Sequence, residues 1–269
     1  MSSSRSSKKQ QREEGGDETA AMEMKRNKTR ALNNRLLVGL DRIYGFMGSC
    51  NGLVCIDVSI QDVGGHYGKW ETIVWNPVTG ICRELPLRNN YTYAFGYGFG
   101  YDSASDDYKV FAVTDLSHRK GDCEVESISL KTGCWKKVEN IDREYLQYIQ
   151  WLEGKGLFLN GALHWRPRES SQGGKGEIVA FDLGKEKFYY VPSPPNDQIS
   201  RGYGPNYSLG VVGEYLCFLH RDGNTNIVWA MKEYCNEASW VPFISYTCSA
   251  PRKCKIQLFV SAQMDDQCA

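Results

Sequence analysis

Residues 73–86, Ile73-Val-Trp-Asn-Pro-Val-Thr-Gly-Ile-Cys-Arg-Glu-Leu-Pro86, run from an apolar stretch through a tight polar turn into a second stretch. The same shape returns three times. Residues 127–138 read Ser-Ile-Ser-Leu-Lys-Thr-Gly-Cys-Trp-Lys-Lys-Val, and residues 178–192 read Ile-Val-Ala-Phe-Asp-Leu-Gly-Lys-Glu-Lys-Phe-Tyr-Tyr-Val-Pro. Residues 227–243 give a looser copy ending Ala-Ser-Trp-Val-Pro-Phe. Aligned on the turn, Trp75, Ile128 and Phe181 coincide, so each step is 53 residues. Each copy reads as a β-hairpin, and a fixed period near fifty marks stacked sheet units of the propeller kind.

Working outward, Gly48-Ser-Cys-Asn-Gly52 carries turn chemistry, since Asn-Gly tolerates positive φ at both central positions. Strands are expected at 53–58, 72–75, 108–113, 124–130 and 133–138, then at 156–159, 163–166, 178–183, 207–212, 215–220 and 227–231. Residues 64–68 and 222–225 read as loops, and Pro77–Gly80 and Asn160-Gly161 as turns. Residues 139–153 form either one short helix or an irregular link, because Tyr145, Ile149 and Leu152 fall at helical spacing. In Phe95-Gly-Tyr-Gly-Phe-Gly-Tyr101 a period of two puts four aromatics on one face and Gly96, Gly98 and Gly100 on the other. The bare face invites close approach of another sheet. A phosphate-cradling loop fails on spacing, because no G-x-G-x-x-G occurs and no helix pattern follows. Some sixteen short strands with regular turns exclude a helical bundle, and the repeat selects a propeller from among the all-β folds.

The charges balance at 32 against 32, yet residues 1–38 hold nine Lys/Arg and five Asp/Glu, which leaves the remainder with 23 against 27. Residues 1–39 read as a disordered basic and polar tail. Its clusters Lys8-Lys9 and Lys25-Arg26 could serve nuclear import or nucleic-acid binding, but a solvated tail is the reading we adopt. Residues 40–243 read as the repeat-bearing β domain, and residues 244–269 as a divergent tail in which 255–260 could make one strand. No run approaches the roughly 18 apolar residues of a membrane helix. Ten cysteines without a secretory signal indicate a reducing compartment, and Cys55 and Cys217 read as small hydrophobes within strands.

Catalytic chemistry finds no support. His164 beside Trp165 reads as a packed core residue, while His66 and His118 lie in loops. G-x-S-x-G is absent. Asp106-Asp107 reads as a turn, since neighbouring strand residues diverge rather than flank a bond. No C-x-x-C pair supplies zinc spacing. No catalytic, metal or cofactor residue is therefore nominated. Trp75, Trp135, Trp165, Trp229 and Trp240 read mostly as packing between units, and Tyr91, Tyr93, Tyr203 and Tyr207 as candidate contact anchors.

Several phrases carry a resemblance: Gly48-Ser-Cys-Asn-Gly-Leu-Val-Cys55, Ile73–Gly80, Phe99-Gly-Tyr-Asp-Ser-Ala-Ser-Asp-Asp-Tyr-Lys-Val110, Phe158-Leu-Asn-Gly-Ala-Leu-His-Trp165 and Trp229-Ala-Met-Lys-Glu-Tyr234. Across residues 41–243 the chain resembles the plant F-box-associated interaction domain of F-box/kelch-like and S-locus F-box-like proteins. That resemblance implies a substrate-recognition module of a cullin-based ubiquitin ligase, a protein target, and a Skp-type adaptor and cullin complex as partners wherever an F-box exists. It implies no enzyme activity and a cytoplasmic or nuclear setting. Residues 1–40 show no F-box pattern, so an F-box-less decoy or a non-functional fragment is the alternative, and a propeller hydrolase ranks below both. The expected fold is an all-β, propeller-like array of about four antiparallel blades in an incomplete ring. Neither nucleic acid nor membrane is expected as a partner. The loops 62–70, 88–94, 115–122, 167–176 and 195–206 are the expected recognition surface, because loops on a rigid scaffold diverge without harming the core.

Overall fold

The computed structural model describes residues 42–61, 67–88, 94–115, 123–149, 152, 154–165, 178–195, 207–222 and 224–247. Seventeen strands among them build four sheets. The first holds β1 (Arg42–Cys50), β2 (Leu53–Gln61), β3 (Tyr67–Trp75) and β4 (Cys82–Glu84). The second holds β5 (Ala94–Asp102), β6 (Asp107–Asp115), β7 (Cys123–Ser129) and β8 (Trp135–Lys137). Helix α1 (Arg143–Ile149) follows, and then β9 (Gly154–Lys155), which returns to pair with β5 in parallel. The third sheet holds β10 (Leu157–Leu159), β11 (Ala162–Trp165), β12 (Ile178–Asp182) and β13 (Lys187–Val191). The fourth holds β14 (Tyr207–Val212), β15 (Tyr215–Asp222), β16 (Thr225–Met231) and β17 (Trp240–Thr247). Apart from β9, each sheet is an antiparallel meander in chain order, so the expected all-β, four-sheet architecture is observed.

The repeated phrase is the outer hairpin of each sheet. Trp75 pairs with Cys82, Ile128 with Trp135 and Phe181 with Phe188, each seven residues on. In all three turns one amide donates 2.8 Å to a carbonyl four residues back: Gly80 to Asn76, Gly133 to Ser129 and Glu186 to Asp182. Those donors are all left-handed, at φ 70, 67 and 54. The residue opening each turn caps it. Asn76 Oδ1 accepts from the Val78 and Thr79 amides, Asp182 Oδ1 from Gly184 and Lys185, and Ser129 Oγ from Thr132. Short polar side chains that bond their own backbone two or three residues on are what such turns require. The fourth copy is looser because Met231 pairs with Trp240, nine residues on, and a 3-10 turn (Glu237–Ser239) fills the difference.

Three apolar seams join successive sheets. Met47, Cys55 and Val74 meet Phe99, Val110 and Ile128 between the first and second sheets. Phe111, Val113 and Val125 meet Leu163, Val179 and Phe181 between the second and third. Ile178 and Ala180 meet Phe218, Trp229 and Trp240 between the third and fourth. Val110 and Phe111, or Val179 and Ala180, thus serve different seams, because side chains alternate faces along a strand. A middle sheet buried on both faces explains the unbroken apolar runs Val-Phe-Ala-Val and Ile-Val-Ala-Phe.

The Gly-aromatic strand behaves as expected. A methyl group at Gly100 would lie 2.3 Å from Phe158 Cδ2 and 2.7 Å from Leu183 Cδ1, and one at Gly98 would lie 2.6 Å from Leu163 Cδ1. The third sheet therefore seats on the glycine face, while Phe99 on the other face packs into the first seam. Helix α1 is the short-helix alternative realised, with Tyr145, Ile149 and Leu152 all buried in the second seam.

Some boundaries differ. β2 runs past the expected end at Val58 to Gln61, β3 begins at Tyr67 inside the expected 64–68 loop, and Asp222 pairs directly with Thr225 where a loop was expected. Ladder pairing with a neighbour recruits polar residues whose own propensity is weak. β17 runs through Thr247, across the boundary placed after Phe243. The tail segments 1–39 and 248–269, including 255–260, lie outside the described residues.

Candidate interaction surface

Meander parity sorts the connections between the strands. β1 and β5 run the same way, since Gly45 lies by Tyr97 Oη and Gly48 by Phe99. β9 pairs with β5 in parallel and leads directly into β10. The Nε1 of Trp135 donates to the Pro86 carbonyl at 2.7 Å, and Trp240 Nε1 donates to the Pro192 carbonyl at 2.9 Å. The fourth sheet therefore sits on the third as the second sits on the first. In every sheet the tight turns, first-to-second and third-to-fourth strand, share one end. The second-to-third connections and the links between sheets share the other.

All five loops singled out from sequence are bounded by strands whose ends lie on that second side. Residues 62–66, 89–93, 116–122, 167–176 and 196–206 lie outside the described residues, as do Tyr91, Tyr93 and Tyr203 and the side chain of Tyr207. Helix α1 lies at that end too, with Leu146 exposed. The opposite end carries Val78, 90% exposed, and Ile81 on the first outer turn.

The seams carry polar fasteners among their apolar contacts. Buried Lys109 lies 3.0 Å from Asp102 and 3.8 Å from Glu186, and donates 2.6 Å to the Leu183 carbonyl. Burial opposes ionisation of Asp102, but the Ser105 hydroxyl, the Lys109 ammonium and the Ala104 amide outweigh it and hold the carboxyl at about 2. Asp107 is likewise committed to structure, accepting from the Ser129 hydroxyl and the Lys131 amide. Its neighbour Asp106, in the turn, accepts from Tyr101. The Asp106-Asp107 pair thus diverges as the sequence predicts.

His164 is fully buried as expected, but it is also bonded. Nδ1 lies 3.0 Å from the Leu157 carbonyl, Nε2 lies 2.6 Å from Tyr234 Oη, and Tyr234 Oη lies 2.5 Å from Tyr189 Oη. A carbonyl only accepts, so Nδ1 carries the proton and neutral Nε2 accepts from Tyr234. Burial pulls the imidazole down to about 4 despite backbone bonds that oppose it. His66 and His118 lie outside the described residues. Among the described residues no group of three or more His, Cys, Asp or Glu is placed to hold a metal ion.

The inner strands β1, β5 and β10 neighbour one another. Among the described residues of β1, β5, β9, β10 and β14, no histidine occurs, and the one acid is Asp102 at the far tip of β5. The inner edge instead presents Phe46, 42% exposed, with Lys155 Nζ 4.5 Å above its ring.

The F-box associated beta propeller domain family matches residues 19–267. The chain belongs to this family. Curated relatives of this F-box associated domain include the F-box protein CPR1 of Arabidopsis thaliana, 30% identical over 77% of this chain and 53% of its own. The Arabidopsis F-box/kelch-repeat protein At3g23880 is 28% identical over 78% of the chain and 54% of its own. The chain thus spans about half the length of these relatives. Among solved structures, the Bombyx mori GH32 beta-fructofuranosidase BmSUC1 covers 71% of the chain and 46% of its own at 12% identity. Its TM-score of 0.40 is too low to bear on fold or activity.

Lys109 and Lys155 escaped the sequence reading. A lysine inside the two-face-buried run Tyr-Lys-Val-Phe was the available signal for the first. Lys155 had none, because its placement depends on β9 reaching back to β5.

Proposed function

We propose that this chain is the target-holding part of an F-box ubiquitin ligase, gripping a protein substrate with the connections gathered at the link end of its sheets. The observation that carries the reading is that the described strand ends flanking all five connections lie at one end of the sheets while the core stays sealed behind them. Rigid scaffolds with recognition on clustered loops are a general solution to target binding. Family membership supports the substrate-recognition role, and the F-box names of the relatives support a Skp-type adaptor and a cullin as further partners. A cytoplasmic or nuclear setting goes with that assignment, and no described helix is long and apolar enough to cross a membrane. We read the domain as non-enzymatic. The inner strands offer no convergent acids or histidines among the described residues, and the one inner acid, Asp102, is locked to Lys109. No observation favours a decoy over this reading.

Swapping the five connections with those of a relative, one at a time and together, tests it by quantitative affinity capture from plant cells. Proteins held by the parent chain should be lost from the swapped chains and should lose ubiquitin conjugates. Unchanged capture after all five swaps would end the proposal.

A further inference from the structure

The second sheet contains a strand that the other three lack. β9 is two residues long, pairs in parallel where every other pairing is antiparallel, and places Lys155 opposite Tyr97 on the inner edge. Both flanks are pinned. Gly154 is left-handed at φ 72, and its carbonyl accepts from Trp165 Nε1 at 3.3 Å. The Gly156 amide donates 2.7 Å to the Tyr97 carbonyl, and a methyl at Gly156 would fall 2.4 Å from the Trp165 ring. The backbone of Lys155 is thus rigidly presented, and its ammonium rests on the open face of Phe46.

Among the other lysines, Lys109, Lys131, Lys136, Lys137 and Lys185 each face a carboxylate, and Lys232 lies over the rings of Tyr215 and Phe243 but is exposed to solvent. Among the described residues the half-buried Lys155 faces only the Phe46 ring. Burial disfavours its charged form. The acid on β5, Asp102, lies five residues beyond Tyr97, about 16 Å along a strand, and is already occupied.

We propose that the inner edge at Lys155 and Phe46 receives a single carboxylate, an Asp or Glu side chain of the protein partner. This rests on the recognition reading, since the ligand is part of a protein. A half-desolvated cation without a counter-charge gains more from an incoming carboxylate than a solvated one does. A preorganised backbone removes the ordering cost. One ammonium with no guanidinium fork offers a single point-charge contact rather than bidentate recognition, and a protein partner supplies such an oxygen as an Asp or Glu side chain.

Carbon-13 methylation of the lysines of the full chain, followed by NMR, tests this. The Lys155 signal is identified by its loss in Lys155→Arg. Its resonance should be shifted upfield by the ring current and should relax toward the other lysines in Phe46→Leu. An acetylated hexaglutamate peptide should move the Lys155 signal further than that of any other lysine, and hexaglutamine should not. A Lys155 signal that moves no more than the rest, or equally with both peptides, overturns the inference. If capture of protein targets still depends on the five connections in that case, the recognition reading stands and only the carboxylate site falls.

Discussion

Gly100 shows how one missing methyl fixes a sheet-to-sheet distance. Phe158 and Leu183 occupy the space a Cβ would take, at 2.3 and 2.7 Å. Alanine there would force aromatic and aliphatic side chains off their rotamers or push the third sheet outward. We expect Gly100→Ala to cost about 2 kcal/mol in urea unfolding, the usual range for overpacking. Undiminished stability would mean that the third sheet does not seat on that face. Much at this scale was legible in the sequence. The alternation of glycine with aromatics named the bare face directly, and the capping residues Asn76, Ser129 and Asp182 sit at one position of the repeat. Lys109 was not legible as a fastener, because its acceptor, the Leu183 carbonyl, lies 74 residues away.

Among the elements, the outer hairpins repeat most faithfully, and two of them bolt onto the sheet before. Trp135 and Trp240 open β8 and β17 and donate to carbonyls of Pro86 and Pro192. Phe188, the second residue of β13, sits at the matching register and serves the second seam as an apolar ring, 4.9 Å from Phe181. Trp240→Phe therefore keeps most of the packing but strands the Pro192 carbonyl. It should lose roughly 1–2 kcal/mol, the cost of an unmade buried hydrogen bond, read as a lowered denaturation midpoint. Sequence reading found these hairpins because each is local, with the paired residue seven or nine residues on. It missed β9 and the full reach of β2, β3 and β17, since ladder bonds from distant strands decide those, whatever the local propensity. The expected recognition loops were found as segments, but which end of the sheets they share follows only from strand parity.

For the whole molecule, the seam between the third and fourth sheets has an acid-sensitive member. His164, Tyr234 and Tyr189 bond in series across it, and His164 is held neutral down to about 4. The unfolded imidazole takes its proton near 6.5, so the unfolded state binds more protons between those values. Stability from this group is complete above pH 6.5 and falls as the pH drops toward 4, by roughly 3 kcal/mol in all. Unfolding measured across that window should show the decline in the parent chain and a flatter profile in His164→Gln. Equal slopes would assign the acid sensitivity elsewhere.

Among the described residues, the three main seams join sheets that are consecutive in the chain: first to second, second to third, third to fourth. A chain leaving the ribosome can therefore complete each interface as soon as the next meander emerges, with no need to wait for its far terminus. Each finished meander turns a greasy flank toward the part still to come, and the next arrival covers it.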